Sequence, residues 1–153
     1  MRGTFDDLPD MSLTQLLYVS TITPGVSPDN VMAIHVESQR KNAARDVTGL
    51  LLYGRGNFMQ LIEGDGAVVT TLYDRVARDP RHRDVRTLFC GPAKRRLFPT
   101  WNMGLVVLDR TQSPVDRARL EAVLDAVARA DRSATTGQKV LGLLKDFRAQ
   151  LAA

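Results

Sequence analysis

The chain has 153 residues, of which 44% are hydrophobic and 25% charged, with a formal net charge of +4. This length and composition are ordinary for one globular domain with a single hydrophobic core. They exclude a fibrous or strongly charged disordered chain, and no stretch approaches the roughly 20 apolar residues of a transmembrane helix. The N-terminal segment lacks the apolar core of a secretory signal. Because Cys90 is the single cysteine, no intramolecular disulfide can form, and we expect a cytoplasmic protein.

The basic residues do not form the patch that is typical of nucleic-acid binding. They alternate with acidic residues along the chain, and the densest basic run is Lys94-Arg95-Arg96, in a connection before Phe98-Pro99. Phosphate binding needs cations clustered on one face, so this pattern favours a solvated surface. We therefore predict neither a nucleic-acid partner nor a membrane partner.

The first part of the chain predicts a strand followed by a helix. Apolar residues dominate Gln15–Ser20, which indicates a strand. Ser27-Pro28 is a typical helix start, because serine caps free backbone amides and proline fits the first helical turn. The helix should run to about Arg45, with one side formed by Val31, Ile34, His35, Ser38 and Asn42.

The segment Thr48–Gly64 predicts a hairpin of two apolar strands, joined by a tight turn at residues 54–57. Its second strand has one carboxamide, Gln60, near its middle. Side chains alternate along a strand, so two faces are expected: one with Phe58, Gln60 and Ile62, the other with Met59 and Leu61. A buried amide group without a hydrogen-bond partner costs about 1–3 kcal/mol. We therefore expect a polar group to meet Gln60 on its face of the sheet.

The second part of the chain predicts a helix and two more strands. The helix follows Gly64-Asp65-Gly66, has an apolar stripe and ends at Asp79-Pro80. Strands are expected near Val85–Cys90, with Cys90 as a small core residue, and near Asn102–Leu108. The order β-α-β-β-α-β-β is typical of an α+β, ferredoxin-like sheet with both helices on one face.

Beyond the last strand, Ser113-Pro114 starts the first of two further helices. We divide the chain into a lead-in at residues 1–12, a domain at 13–109 and a C-terminal helical extension at 110–153. The apolar stripes of the two extension helices either cover the outer face of the sheet, which we favour, or bind a partner.

Five short signatures stand in order along the chain: Leu17-Tyr18-Val19-Ser20; Asn42 with Val47-Thr48-Gly49; Phe58-Met59-Gln60-Leu61-Ile62-Glu63-Gly64; Asp79-Pro80-Arg81-His82; and Trp101-Asn102-Met103. With these signatures the sequence resembles the BLUF family, the sensors of blue light using FAD. The separations between Tyr18, Asn42, Gln60 and Trp101 agree with that family, and the resemblance covers roughly residues 13–109.

The resemblance implies a flavin site between the two helices. Asn42 would bind the O4/N3 edge of the ring, Arg81 its O2 side, and His82 would lie beside it. Ile34 and Phe58 would pack on its apolar surface. The cofactor would be FAD, with FMN and riboflavin as alternatives, and no metal site is predicted.

The resemblance also implies photochemistry in place of enzymatic catalysis. Light would drive transfer of an electron and a proton from Tyr18 to the flavin and a rearrangement of the hydrogen bonds of Gln60. Trp101 and Met103, on the same side of the last strand, would transmit the signal. Either of them could be the neighbour of Gln60. The output would pass to a downstream signalling protein, and a homo-oligomer is expected.

Three residues depart from the family pattern. Asn102 stands between Trp101 and Met103 where the family commonly has serine, with no loss of chemistry expected. Lys41 stands where a polar uncharged residue or histidine is common, so an extra charge is expected near the ring. His35 stands where a leucine-like residue is usual, and we predict a hydrogen-bonded core histidine there.

Other classes of protein fit the sequence less well. An acylphosphatase-type enzyme needs an arginine and an asparagine around a phosphate-binding loop, and Thr21–Gly25 has neither. A nucleic-acid module needs paired exposed aromatics on the sheet. A non-photoactive ferredoxin-like binding module is the remaining alternative, and it predicts a colourless protein.

Overall fold

The computed structural model describes residues 13–107, apart from the side chains of residues 28 and 29, and seven single residues beyond them. These seven are helical and exposed: Pro114, Ala118, Glu121, Gly142, Lys145, Asp146 and Ala149. The lead-in and the apolar stripes predicted for the C-terminal extension lie outside the described residues.

The described elements follow the predicted order. They are β1 (Leu13–Ile22), α1 (Pro28–Ala44), β2 (Thr48–Gly54), β3 (Asn57–Asp65), α2 (Gly66–Arg78), β4 (His82–Pro92) and β5 (Gly104–Val107). The strands form one sheet in the order β4-β1-β3-β2-β5. All neighbours are antiparallel except β2 and β5. The ferredoxin-like α+β fold is confirmed.

Local sequence signals fix the ends of both helices. The Ser27 side chain accepts a hydrogen bond from the Asn30 amide, and the Asn30 side chain accepts one from the Ser27 amide, which makes a reciprocal cap. Asp65 caps α2 through the Ala67 amide. This helix ends before Asp79 because the following proline disfavours helical backbone at that residue.

The hairpin turn is tight, as predicted for residues 54–57. Only Arg55 and Gly56 lie between β2 and β3, with φ angles of 48° and 77°. Two consecutive positive φ values match the right-handed twist of the paired strands, which is why such short loops are common in hairpins. The turn sets the register that pairs Leu51 with Gln60, and Tyr18 lies opposite Gln60 on the other neighbouring strand.

The two faces of the sheet have the predicted composition. Met59 and Leu61 pack in one cluster with Leu17, Leu50 and Leu52. Ile62 packs on the opposite face with α2 residues, among them Val69. Both helices cover this second face. Gln60 lies on the same face as Ile62, because side chains alternate along β3.

Two sequence predictions are wrong in this part of the chain. Cys90 is exposed instead of buried, because β4 is an edge strand along which most side chains meet solvent. The last strand begins at Gly104 rather than at Asn102. Trp101 and Met103 therefore lie in the connection that leads into β5.

Candidate functional site

A tyrosine and a glutamine meet at the centre of the helix-covered face. Tyr18 on β1 and Gln60 on β3 are directly opposite each other in the antiparallel register. The Tyr18 hydroxyl donates a hydrogen bond to Oε1 of Gln60. Burial raises the pKa of Tyr18, and electrostatic interaction with Tyr73 and Asp79 raises it further. The phenol therefore keeps its proton and acts as the donor.

Met103 completes a chain of three side chains. Nε2 of Gln60 donates to Sδ of Met103 at 3.3 Å, and Met103 is fully buried at 0% exposure. Gln60 itself is only 7% exposed. Because its oxygen faces a hydroxyl donor and its nitrogen faces a sulfur acceptor, both ends of the buried amide have partners. The expectation that a polar group meets Gln60 is confirmed.

A cleft lies between α1 and α2, over the hydrogen-bonded side chains of Tyr18 and Gln60. It encloses about 900 Å³ of empty space, counted with the part that opens to solvent. Its lining includes Tyr18 and Gln60 together with apolar side chains of both helices and the sheet: Ile34, Leu51, Phe58, Leu72 and Val76. Sites for small cofactors have this combination of apolar walls with a few polar groups. The donor set suits a flat heterocycle with hydrogen-bonding groups along one edge.

Asn42 and Arg81 also line this cleft, and each already has a protein partner. Nδ2 of Asn42 donates to the Asn102 carbonyl at 2.9 Å. A carboxamide has two N–H groups and an acceptor oxygen, so capacity for a ligand remains. The Arg81 guanidinium binds both carboxylate oxygens of Asp79 at 2.5–3.0 Å. This pairing lowers the pKa of Asp79 and raises that of Arg81.

His82 lines the cleft and makes structural hydrogen bonds as well. One ring nitrogen, Nδ1, lies 2.9 Å from Oγ of Ser20, and the other, Nε2, lies 2.6 Å from the Val76 carbonyl. A carbonyl can only accept, so Nε2 carries the proton and Nδ1 is free to accept from the serine hydroxyl. His82 thus ties β4 to α2 and to β1.

The rim of the cleft carries several charges. Lys41 pairs with Glu37 at 2.7 Å, one helical turn away, and both side chains are nearly half exposed. Lys41 thus does line the cleft, as expected from its departure from the family pattern, but its charge is neutralised by Glu37. Arg45 and Arg75 add two further cations to the lining.

The structure separates Trp101 from Met103. Trp101 is 37% exposed and stacks on Phe98, with ring centroids 5.4 Å apart and planes 12° from parallel. Phe98 belongs to the hydrophobic cluster on the face away from the helices. The prediction that Trp101 and Met103 share one side is wrong, because the chain turns at 102 before it enters the sheet. Met103 is the neighbour of Gln60.

Sequence reasoning missed a buried anchor formed by Glu63. Its carboxylate accepts hydrogen bonds from Nε2 of Gln15 at 2.7 Å and from the backbone amides of Leu97 and Phe98 at 2.6 and 2.8 Å. Glu63 is completely buried. Its burial could have been inferred from its position, because Glu63 follows Met59 and Leu61 on the apolar face of β3. An acid at such a position requires several donors.

The basic run at residues 94–96, just before Leu97, is also more structured than predicted. Arg96 is only 17% exposed and donates to Oγ1 of Thr48 at 3.0 Å and to the Glu63 carbonyl at 3.3 Å. It also pairs with Asp46 at 3.2 Å. The solvated-surface interpretation is therefore wrong for Arg96, which holds the connection after β4 against β2 and β3.

The Glu63 anchor predicts a pH-dependent stability. Burial raises the pKa of Glu63, and the hydrogen bonds from Gln15, Leu97 and Phe98 oppose the shift only in part. Between the ordinary and the raised pKa, the folded protein binds more protons than the unfolded chain. The contribution of this group to the free energy of unfolding therefore falls as the pH rises through this window.

Glu63→Gln removes that titration. We expect the stability advantage of the original protein over this variant to shrink from pH 4.5 upward, as measured by urea unfolding at several pH values. An advantage that stays constant or grows with pH would contradict the assignment.

Fold and site together define a ferredoxin-like domain with a cleft for a flat, hydrogen-bonding cofactor. Residues 13–104 match the family described as BLUF, sensors of blue-light using FAD. The chain belongs to this family. It is accordingly a blue-light photoreceptor domain, and its cofactor is FAD.

Two curated relatives show how the domain is used elsewhere. The chain is 39% identical over 95 residues to the photoactivated adenylate cyclase subunit beta of Euglena gracilis, covering 61% of this chain and 11% of that protein. It is 34% identical over 93 residues to the blue light- and temperature-regulated antirepressor BluF of Escherichia coli (strain K12), covering 61% of this chain and 23% of that protein. The match thus spans a minor part of both relatives.

Solved structures give the same result. BlrB, a BLUF protein in its dark state, superposes with a TM-score of 0.65 at 28% identity, covering 92% of this chain and 98% of that one. Klebsiella pneumoniae BlrP1 with FMN and cyclic diGMP gives a TM-score of 0.71 at 27% identity, covering 90% of this chain and 34% of that one.

Proposed function

We propose that the cleft between α1 and α2 holds the flavin ring with its polar edge against Tyr18 and Gln60. The observation that carries this proposal is the hydrogen-bonded chain from Tyr18 through Gln60 to Met103 at the floor of a cleft with apolar walls. Ile34 and Phe58 would pack on the ring, and Asn42 would bind its O4/N3 edge. Arg81 would bind the O2 side while it keeps its contact with Asp79, and His82 would border the ring.

The chemistry of the site requires a movable proton and a movable amide. A bound flavin would supply the light absorption and would serve as the acceptor for an electron and a proton from Tyr18. Tyr18 holds the proton at its hydroxyl oxygen, within a buried environment that prevents its loss to solvent. When the Tyr18 hydroxyl no longer donates to Oε1, Gln60 can rotate or tautomerise. The hydrogen bonds among Tyr18, Gln60 and Met103 then have two arrangements, as a switch requires.

The signal would leave the site through Met103. Its sulfur is the acceptor for Nε2 of Gln60, so a changed amide removes this contact. Met103 precedes β5, an edge strand that pairs with β2. Trp101 would take part from the other side, through its stacking on Phe98. We propose that the readout is a change in the connection before β5.

The output would be an interaction with a downstream signalling protein. The relatives combine the same domain with an adenylate cyclase or act as an antirepressor, which supports transmission to a partner. A homo-oligomer belongs to this proposal, supported by the exposed Met32 and Val36 on one side of α1. A cytoplasmic location is supported by the free thiol of Cys90. In the described residues, no helix is long and apolar enough to cross a membrane.

A light-minus-dark absorbance spectrum of the flavin-loaded protein tests this proposal. We expect a yellow protein whose flavin band shifts reversibly to the red on blue illumination. Tyr18→Phe should bind flavin and lose the reversible shift, because phenylalanine has no hydroxyl proton to donate to Gln60. A Tyr18→Phe protein with an unchanged shift would contradict the assigned role.

A further inference from the structure

The segment that carries Met103 is held by the first helix. Nε2 of His35 donates to the Met103 carbonyl at 2.8 Å, and Nε2 of Gln39 donates to the same oxygen at 3.2 Å. Nδ2 of Asn42 donates to the neighbouring carbonyl of Asn102 at 2.9 Å. These three α1 residues lie at helical spacing on one side of the helix. A carbonyl oxygen has two lone pairs, so the Met103 carbonyl is fully used.

The thioether of Met103 needs such support. A methionine side chain has three rotatable bonds, and its sulfur is a weak hydrogen-bond acceptor. Apolar packing confines this buried side chain, and the weak bond from Gln60 adds little to the placement of the sulfur. Pairing of β5 with β2 starts only at Gly104, opposite Leu50. Within the described part of the chain, the α1 side chains therefore supply the hydrogen bonds to the Asn102 and Met103 carbonyls.

His35 does not line the cleft. The residue is 9% exposed, and its bond to a carbonyl requires that Nε2 carries the proton. It is thus a hydrogen-bonded core histidine, as the sequence predicted. This placement gives it access to the backbone of Met103 and none to the ligand.

We infer that His35 and Gln39 are positioning residues of the light response, which hold the Met103 sulfur where the amide of Gln60 can return to it. This inference rests on the proposed function, since it concerns the same hydrogen-bonded chain. After illumination, Gln60 returns to its dark orientation by finding the sulfur again. Dark recovery is therefore faster when the Met103 sulfur is held in place and slower when it is free to move.

The test is the rate of thermal dark recovery of the flavin absorbance. We expect His35→Leu to slow recovery about fivefold, the size of effect that one neutral hydrogen bond gives. If His35→Leu does not fold, Gln39→Leu is the second variant, and it should also slow dark recovery. His35→Gln can still donate to the carbonyl and should restore a rate near that of the original protein. Arg40→Ala, an exposed α1 position beside Gln39, is the matched control and should not change the rate.

A double-mutant cycle separates positioning from a general structural effect. In a Met103→Ala background there is no sulfur to hold, so His35→Leu should no longer change the recovery rate. An unchanged rate in His35→Leu, or the same slowing in the Met103→Ala background, would overturn the inference while the light-induced shift still supports the proposed function. An original protein without any light-induced shift would overturn both.

Discussion

Replacing Gln60 with leucine is expected to abolish the light-induced red shift while flavin remains bound. Leucine has a similar size and fills the same space at the floor of the cleft, but it can neither accept from the Tyr18 hydroxyl nor donate to Met103. The variant also leaves the buried hydroxyl of Tyr18 without its partner, at a cost of about 1–3 kcal/mol in stability. Light-minus-dark absorbance of the flavin-loaded variant measures the shift, and its dark spectrum measures the retained flavin.

Gln15→Leu is a matched control for this experiment. Gln15 is also a buried strand glutamine, but it lies on β1 against Glu63 and does not line the cleft. Its Oε1 has no hydrogen-bond partner among the described residues, but its Nε2 donates to the buried Glu63, so Gln15→Leu should lower stability without changing the cleft. Gln15→Leu should keep the full shift. A full shift in Gln60→Leu would show that the amide is not part of the switch.

Gly49→Ala is expected to cause the largest loss of stability, at least about 3 kcal/mol. The φ of Gly49 is +155°, and an added Cβ would lie 1.9 Å from the Leu61 carbonyl oxygen. That oxygen belongs to the backbone of β3, so it cannot move without breaking the pairing of β2 and β3. The Gly49 amide also donates to the Trp101 carbonyl at 3.0 Å, and this bond would be strained. Urea unfolding measures the free-energy difference.

Gly56→Ala is the control for backbone strain without crowding. Its φ is +77°, but an added Cβ would have no atom within 4 Å. The expected cost is only the roughly 1–2 kcal/mol of a left-handed residue that is not glycine. Equal losses in the two variants would show that contact with Leu61 does not matter.

The sequence predicted the elements that are determined by local signals. The capped start of α1 at Ser27 and the end of α2 before Pro80 depend on nearest neighbours. The alternation along β3 predicted which side chains accompany Gln60, because strand geometry allows only two faces. The resemblance named the residues that now line one cleft, including Asn42 and Arg81.

Features set by distant parts of the chain were not predictable. Trp101 and Met103 are two residues apart, but their positions depend on the bonds of Met103 to α1 and on the stacking of Trp101 on Phe98. Similarly, the run 94–96 contains one partly buried arginine only because Thr48 and Glu63 lie beneath it. The exposure of Cys90 follows from β4 being at the edge of the sheet, which residue order alone does not encode.

β3 carries Gln60 towards the helices and, three residues later, Glu63 towards the opposite side. The carboxylate of Glu63 accepts hydrogen bonds from the amides of residues 97 and 98. A displacement of this central strand would therefore also move Phe98 and the Trp101 indole stacked on it. Events beside the pigment would then reach a surface on the far side of the sheet.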